Sequence, residues 1–284
     1  MPWLTSWQFQ WVLVPIALAG QLYALGGRAS VTPGTVVKRS RGAAFYLGLV
    51  ALVLAIASPI DAYADRLFWV HMIQHVLLTM VAPPLLLLGR PWPRIARPLP
   101  PAGRRPLARA VLAGPTLAPA RAALGRLASP LPAFVLFNAT FLIWHLPALY
   151  GLSLRSGSAH DLEHALFFGT AVLFWTHLVP GSRPRLDAGR RVAYGTAALL
   201  VGWALAVVIG LATHPLYGGY ASLGSRPGGL SALADQQLAA GIMWVPGSVP
   251  LTIALLYAAY RWLEPADARA RRRPAAQDLR PRET

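Results

Sequence analysis

Two pairs of histidines at spacing four, His71 and His75 in HMIQH and His160 and His164 in HDLEH, are the residues best suited to chemistry in this 284-residue chain. On a helix, residues four apart project from one face, so both imidazoles of a pair can reach one metal ion. Seven histidines scattered at random over this length would give roughly 0.15 such pairs, so composition does not account for two. Taken singly, each histidine is equally a hydrogen-bonding residue at the end of a membrane helix. His145, His177 and His214 belong to no pair.

The chain has no cysteine, which excludes disulfides, thiolate metal sites, iron–sulfur clusters and covalent c-type haem. A metal must then be held by histidine, methionine or carboxylate. Met243 offers the thioether that Cu(I) prefers, and equally the flexible side chain that fills gaps between helices. Glu163, inside the second pair, and Asp235 could accept the second ring N–H of a ligand imidazole and raise its basicity. Asp61 and Asp65 read as solvated carboxylates near helix N-termini. Gln74 and Asn138 read as bridges between helices.

The elements that carry these residues are long and apolar. With 55% hydrophobic and 13% charged residues, the chain places its apolar residues in blocks too long for a soluble core. Seven spans follow, at 9–25, 43–60, 67–88, 131–150, 159–179, 192–213 and 237–263, each of a length suited to a hydrocarbon core about 30 Å thick. Pro83 and Pro84 should kink the third. Ser158 with Asp161 reads as a cap that opens the fifth. The fold class is therefore all-α: a polytopic membrane helical bundle of about seven transmembrane helices, residues 1–263, with a basic loop at 90–129. The polar, basic tail 264–284 is expected to be disordered. The N-terminus has no basic stretch ahead of its first apolar run, so no cleaved signal peptide is expected.

Charge orients the bundle. Of the 26 lysines and arginines, all but Arg66, Arg155 and Arg226 fall on one side of the predicted spans. The positive-inside rule then puts the N-terminus outside and the C-terminus inside. Trp3, Trp7, Trp69 and Trp144 should mark the outer interface, and Trp92, Trp175 and Trp262 the inner one. The stretch 104–127 should form a short amphipathic helix on the inner surface. A net charge of +16 in a soluble protein would suggest nucleic acid. Distributed between spans, it points to anionic lipids at the inner face and no nucleic-acid partner. In this topology six histidines, His71, His75, His145, His160, His164 and His214, lie on the outer side and only His177 on the inner. The absence of internal repeats and of charged residues at mid-membrane argues against a transporter.

The motifs HMIQHVLLTMVAPPLLLLGRP, WHLPALY, HDLEHALFF and DQQLAAGIMW, in this order, make the chain resemble the seven-helix CtaG-type cytochrome c oxidase assembly factors of bacterial plasma membranes. That family is unrelated to the single-span, cysteine-dependent copper chaperone that shares its name. The resemblance implies a non-enzymatic, multi-pass inner-membrane factor for a haem–copper oxidase, handling copper at the outer face. It implies oxidase subunits as partners, and a soluble copper chaperone could dock on the same side. His71, His75, His145, His160, His164, Asp235, Gln236 and Met243 match the family's motifs. The expected copper site uses His71, His75, His160 and His164 between spans three and five, with His145 or Met243 completing or relaying it. Glu163, Asp235 and Gln236 would support the ligands. The alternative is a redox protein binding b-type haem through the same imidazoles. Both readings require spans three and five to be neighbours.

Overall fold

The computed structural model describes Trp7 and residues 10–28, 39–180 and 186–264, and among these every regular element is helical. Seven principal helices follow in order: α1 (Leu13–Arg28), α2 (Arg39–Ala57), α3 (Phe68–Leu88), α4 (Pro130–Trp144), α5 (Gly157–Trp175), α6 (Ala188–Gly210) and α7 (Ala232–Leu263). Four of them, α2, α3, α6 and α7, are long and apolar enough to cross a membrane. A fifth candidate combines α4 with Pro115–Leu127, which is bent 74° away from it. α1 has only 16 residues. α5 has 19, but its first turns carry His160, Asp161, Glu163 and His164 in place of apolar side chains.

Helix ends follow from capping and from proline. Ser156, not Ser158, opens α5 by accepting the Ala159 N–H (3.4 Å). Asp187 opens α6 through the Arg190 N–H (2.8 Å), and Ser231 opens α7 through that of Ala234 (3.1 Å). Each side chain satisfies an N–H that the helix itself leaves orphaned. α7 thus starts at Ala232, ahead of the expected 237, and holds Asp235 and Gln236 on its first turns. α4 stops at Trp144 rather than 150, because Pro147 has no N–H for the Ile143 carbonyl and its ring would press on it. The chain restarts as the short helix Pro147–Arg155.

The prolines of α3 act differently from expectation. The helix continues to Leu88 and absorbs them through a π-helical stretch, Leu77–Val81, just ahead of them. Pro83 and Pro84 remove the N–H groups that an α or a π ladder would offer the Thr79 carbonyl. The indole of Trp175 supplies the missing donor at 2.8 Å. Trp175 is therefore buried, as is Trp144. Trp7, Trp92 and Trp262 are exposed. Asn138 bonds back to the Phe134 carbonyl of its own helix (2.8 Å) instead of bridging. Gln74 does bridge, donating to the Ala55 carbonyl and to Asp61, each at 2.7 Å.

α5 packs on α4 and along the middle and far end of α3, so spans three and five are neighbours. The first half of α7 packs on the first half of α3, and α6 runs along both halves of α7. α2 lies close against the far half of α3, where a Cβ on Gly48 would meet Leu86 Cγ at 2.8 Å. At the arginine-rich end the basic segment forms two helices, Pro101–Ala113 and Ala118–Leu127, rather than one. Gly114 and the turn Pro115–Leu117 separate them. Trp3, Lys38, Arg183, Arg185 and the tail 265–284 lie outside the described residues.

Candidate metal centre

His71 and His75 occupy the second and third turns of α3, with ring centroids 4.4 Å apart. His160 and His164 face them from α5, 4.1 Å from each other. Across the helix pair, His71 stands 5.1 Å from His160, and His75 stands 6.0 Å from His164. One donor atom each of His71, His75 and His164 fall within 4.8 Å of one another, and so do those of His71, His160 and Glu163. Metal–nitrogen bonds near 2.0 Å bring the donors of one ion to roughly 3–4 Å from one another, so either set closes on an ion with small side-chain shifts.

Glu163 is the residue whose role the sequence understates. It is fully buried between the two α3 histidines, with Oε1 3.6 Å from His75 Nε2 and Oε2 4.0 Å from His71 Nε2. Neither oxygen makes a hydrogen bond of normal length, and the neighbouring Ser153 hydroxyl donates to the Tyr150 carbonyl instead (2.9 Å). The buried Nε2 atoms of His71, His75, His145, His160 and His164 are likewise without partners. Buried polar groups are almost always paired, because desolvation without compensation is costly. A carboxyl group and several imidazole nitrogens left open toward one another could serve as a donor set for a cation, in which Glu163 could ligate directly.

The tautomer of His71 is fixed by a relay. The Tyr220 hydroxyl donates to the Ala64 carbonyl, so its oxygen accepts from His71 Nδ1–H (3.0 Å). The His71 Nε2 lone pair then faces Glu163. Burial holds the Tyr220 phenol well above its usual pKa, so the relay keeps its proton. His145, just past the end of α4, donates Nδ1–H to the Phe141 carbonyl (2.7 Å), which leaves its Nε2 as a lone pair. Its ring lies 6.0 Å from that of His75, at the edge of the cluster and outside both donor sets.

Asp235 and Gln236 are not at the cluster. Asp235 caps α3 from across the bundle, accepting the Phe68 N–H on Oδ2 and the Trp69 N–H on Oδ1, both at 3.0 Å. The buried Arg226 guanidinium pairs with it at 3.6 Å and also donates to the Tyr220 carbonyl. One buried ion pair thus sets both the start of the helix that bears His71 and His75 and the loop that bears the tyrosine of the relay. Gln236 accepts the Leu216 N–H (2.7 Å) and donates to the Ile209 carbonyl (3.1 Å), tying the end of α6 to the following loop. Met243 lines a chamber with His75 and His145. His214 is exposed, and His177 is buried in the other half of the bundle beside Tyr194.

Access comes from the side. A groove between α1, α2 and α5, lined by Gln10, Ile56, Asp161 and His164, reaches the cluster. Asp61 lies nearby, half-buried, accepting from Gln74 and from Gln10 (3.3 Å). Burial pushes its carboxyl above the ordinary range and the Gln74 bond offsets part of that, so it is not the solvated residue expected. Asp65 is exposed, as expected.

The sequence profile of the cytochrome c oxidase caa3 assembly factor family matches residues 21–265. Uncharacterized proteins of Mycobacterium bovis and Mycobacterium tuberculosis are each 29% identical over 290 residues, covering 98% of this chain and 42% of theirs. An uncharacterized protein of Mycobacterium leprae is 25% identical over 264 residues, covering 91% of this chain and 40% of its own length. The chain thus spans less than half of the curated relatives it matches. No solved structure matches it.

Proposed function

Because the chain belongs to the cytochrome c oxidase caa3 assembly factor family, we propose that it binds copper at the histidine end of its bundle and passes it to a haem–copper oxidase during assembly. The observation that carries the copper reading is the convergence of unpartnered Nε2 atoms on the buried carboxyl group of Glu163. A buried carboxyl without a counter-ion must either take up a proton or bear the cost of its charge, and a bound cation relieves it of both. Imidazole with carboxylate and no thiolate is a set suited to copper in an oxidising environment. His71, His75, His160, His164 and Glu163 hold the ion, and the Tyr220 relay aims His71 at it.

The arginine-rich segments mark the cytoplasmic side of a bacterial plasma membrane by the positive-inside rule, so the histidine end faces outward. There an apo-oxidase subunit or a soluble copper carrier can dock, and the groove beside Asp161 and His164 gives the ion its way in. The role is that of an assembly factor, with no reaction catalysed. A porphyrin fits the same residues less well. The facing rings of His71 and His160 are only 5.1 Å apart, which leaves no room for a porphyrin plane between them.

The test is to purify the chain in detergent and measure copper, zinc and iron together with the visible spectrum. Stoichiometric copper, lost when His71 and His160 are replaced by Ala, supports the reading. A Soret band with stoichiometric iron would sink it. Fully copper-replete oxidase in a strain lacking the gene would defeat the assembly role.

A further inference from the structure

We infer that Met72, Met80 and Met243, together with His75 and His145, form a second site beyond the histidine cluster, one that takes a soft monovalent cation such as Cu(I). The sequence holds four methionines, and every one after Met1 lines the same small chamber. Met72 and Met80 come from α3 on either side of His75, and Met243 comes from α7. The chamber runs on from His75 toward the middle of the bundle. Trp203 of α6 donates its indole N–H to Ser248 of α7 (2.7 Å), and both residues line it.

Methionines in a core ordinarily fill space, and that reading accounts for their burial. It does not account for the two imidazoles beside them. His75 and His145 are each 4% exposed, both line the chamber, and neither ring nitrogen of His75 nor Nε2 of His145 has a hydrogen-bond partner. The bond from His145 to the Phe141 carbonyl leaves the Nε2 lone pair available as a ligand.

The donors also select the ion. Thioether and neutral imidazole are soft, uncharged ligands that favour Cu(I), whereas hard divalent ions prefer carboxylate and water. No carboxylate lines the chamber, and its walls include Phe141, Phe167 and Leu251. The cost of burying an ion rises steeply with its charge, so a largely apolar chamber without a counter-ion suits a monovalent cation. The cluster adds the Glu163 carboxylate to its imidazoles and so suits either oxidation state of copper. His75 belongs to both sites, which gives a Cu(I) ion a shared ligand for passage between them without a redox step. The inference rests on the copper reading of the cluster only for the source of the ion.

The experiment uses the full chain in detergent, titrated anaerobically with Ag(I), a redox-inert soft cation, and separately loaded with Cu(I) for X-ray absorption. Wild type should take up a second equivalent of Ag(I) beyond the cluster and show copper–sulfur scattering. M72L/M80L/M243L, a volume-conserving change, should lose that equivalent and the sulfur scattering while keeping the first. H71A/H160A should lose the first equivalent and keep the sulfur scattering. Nitrogen- and oxygen-only scattering from Cu(I)-loaded wild type would overturn the second site, and this measurement needs no variant. Unchanged Ag(I) uptake by M72L/M80L/M243L would overturn it as well. Unchanged uptake by H71A/H160A would instead overturn the cluster reading.

Discussion

Trp175 donates its indole N–H to the Thr79 carbonyl across 2.8 Å, and so joins α5 to α3 one turn beyond His75. The bond exists because Pro83 and Pro84 leave that carbonyl with no backbone donor. Trp175→Phe keeps the ring volume and orphans the carbonyl, so a loss of about 1–3 kcal/mol in thermal or denaturant unfolding is expected. Restoring the N–H with Pro83→Ala in the same chain should recover part of the loss. Equal destabilisation of the single and double variants would refute this account.

Glu163→Gln should separate metal affinity from stability. A buried acid without a counter-ion takes up a proton rather than stay charged, so the neutral amide should leave the metal-free protein within about 1 kcal/mol of wild type near neutral pH. It also removes the anionic ligand, and copper affinity should fall at least about tenfold in competition with a chelator. A variant with unchanged affinity would remove Glu163 from the ligand set.

Tyr220→Phe tests the relay. Without the hydroxyl, His71 Nδ1 loses its acceptor and the Ala64 carbonyl its donor. Copper affinity should drop by about 10–100-fold, with the fold retained. The proton resonances of the His71 ring should then report a mixture of tautomers in place of one.

Asp235→Asn should be the most damaging of the four. It leaves one oxygen for two N–H groups and strands Arg226 without its counter-ion. Breaking a buried pair from one side costs about 3–5 kcal/mol. Replacing Arg226 by Met in the same chain should relieve part of that loss, and purely additive losses would show that the two residues are not coupled.

Asp61 gives stability a pH dependence. Its carboxyl is raised by burial, so the folded state holds its proton to higher pH than the unfolded chain does. Stability from this group falls as pH rises above the ordinary carboxylate range, and the deficit is complete once the raised value is passed. Asp61→Asn keeps an acceptor for Gln74 and removes the deficit. Its advantage over wild type in metal-free unfolding should grow from near zero in acid toward neutral pH. An advantage that does not change with pH would assign the effect to something other than this proton.

The helices were legible as apolar runs long enough to span, but some of their ends were not: span four was carried past the stop that Pro147 imposes, and span seven was begun after the start that Ser231 caps. The cap of α5 was placed two residues late because Ser156 and Ser158 are both competent, and only the backbone path chooses between them. The residue type of Trp175 does not reveal what it bonds. Its partner is a carbonyl 96 residues away in sequence.

The histidine pairs were determined by the sequence alone, since spacing four on a helix fixes a shared face whatever packs against it. Their meeting was not. It required α3 and α5 to be neighbours, which is a property of the bundle. Tertiary structure alone decided that Glu163 stands between the pairs, that Asp235 holds a helix end rather than an imidazole, and that three methionines distant in sequence share a chamber with His75. Spacing along a chain fixes direction around one helix axis. Which side chain of a second helix completes the site depends on how the two helices rotate against each other, and that is set by the packing of the whole bundle.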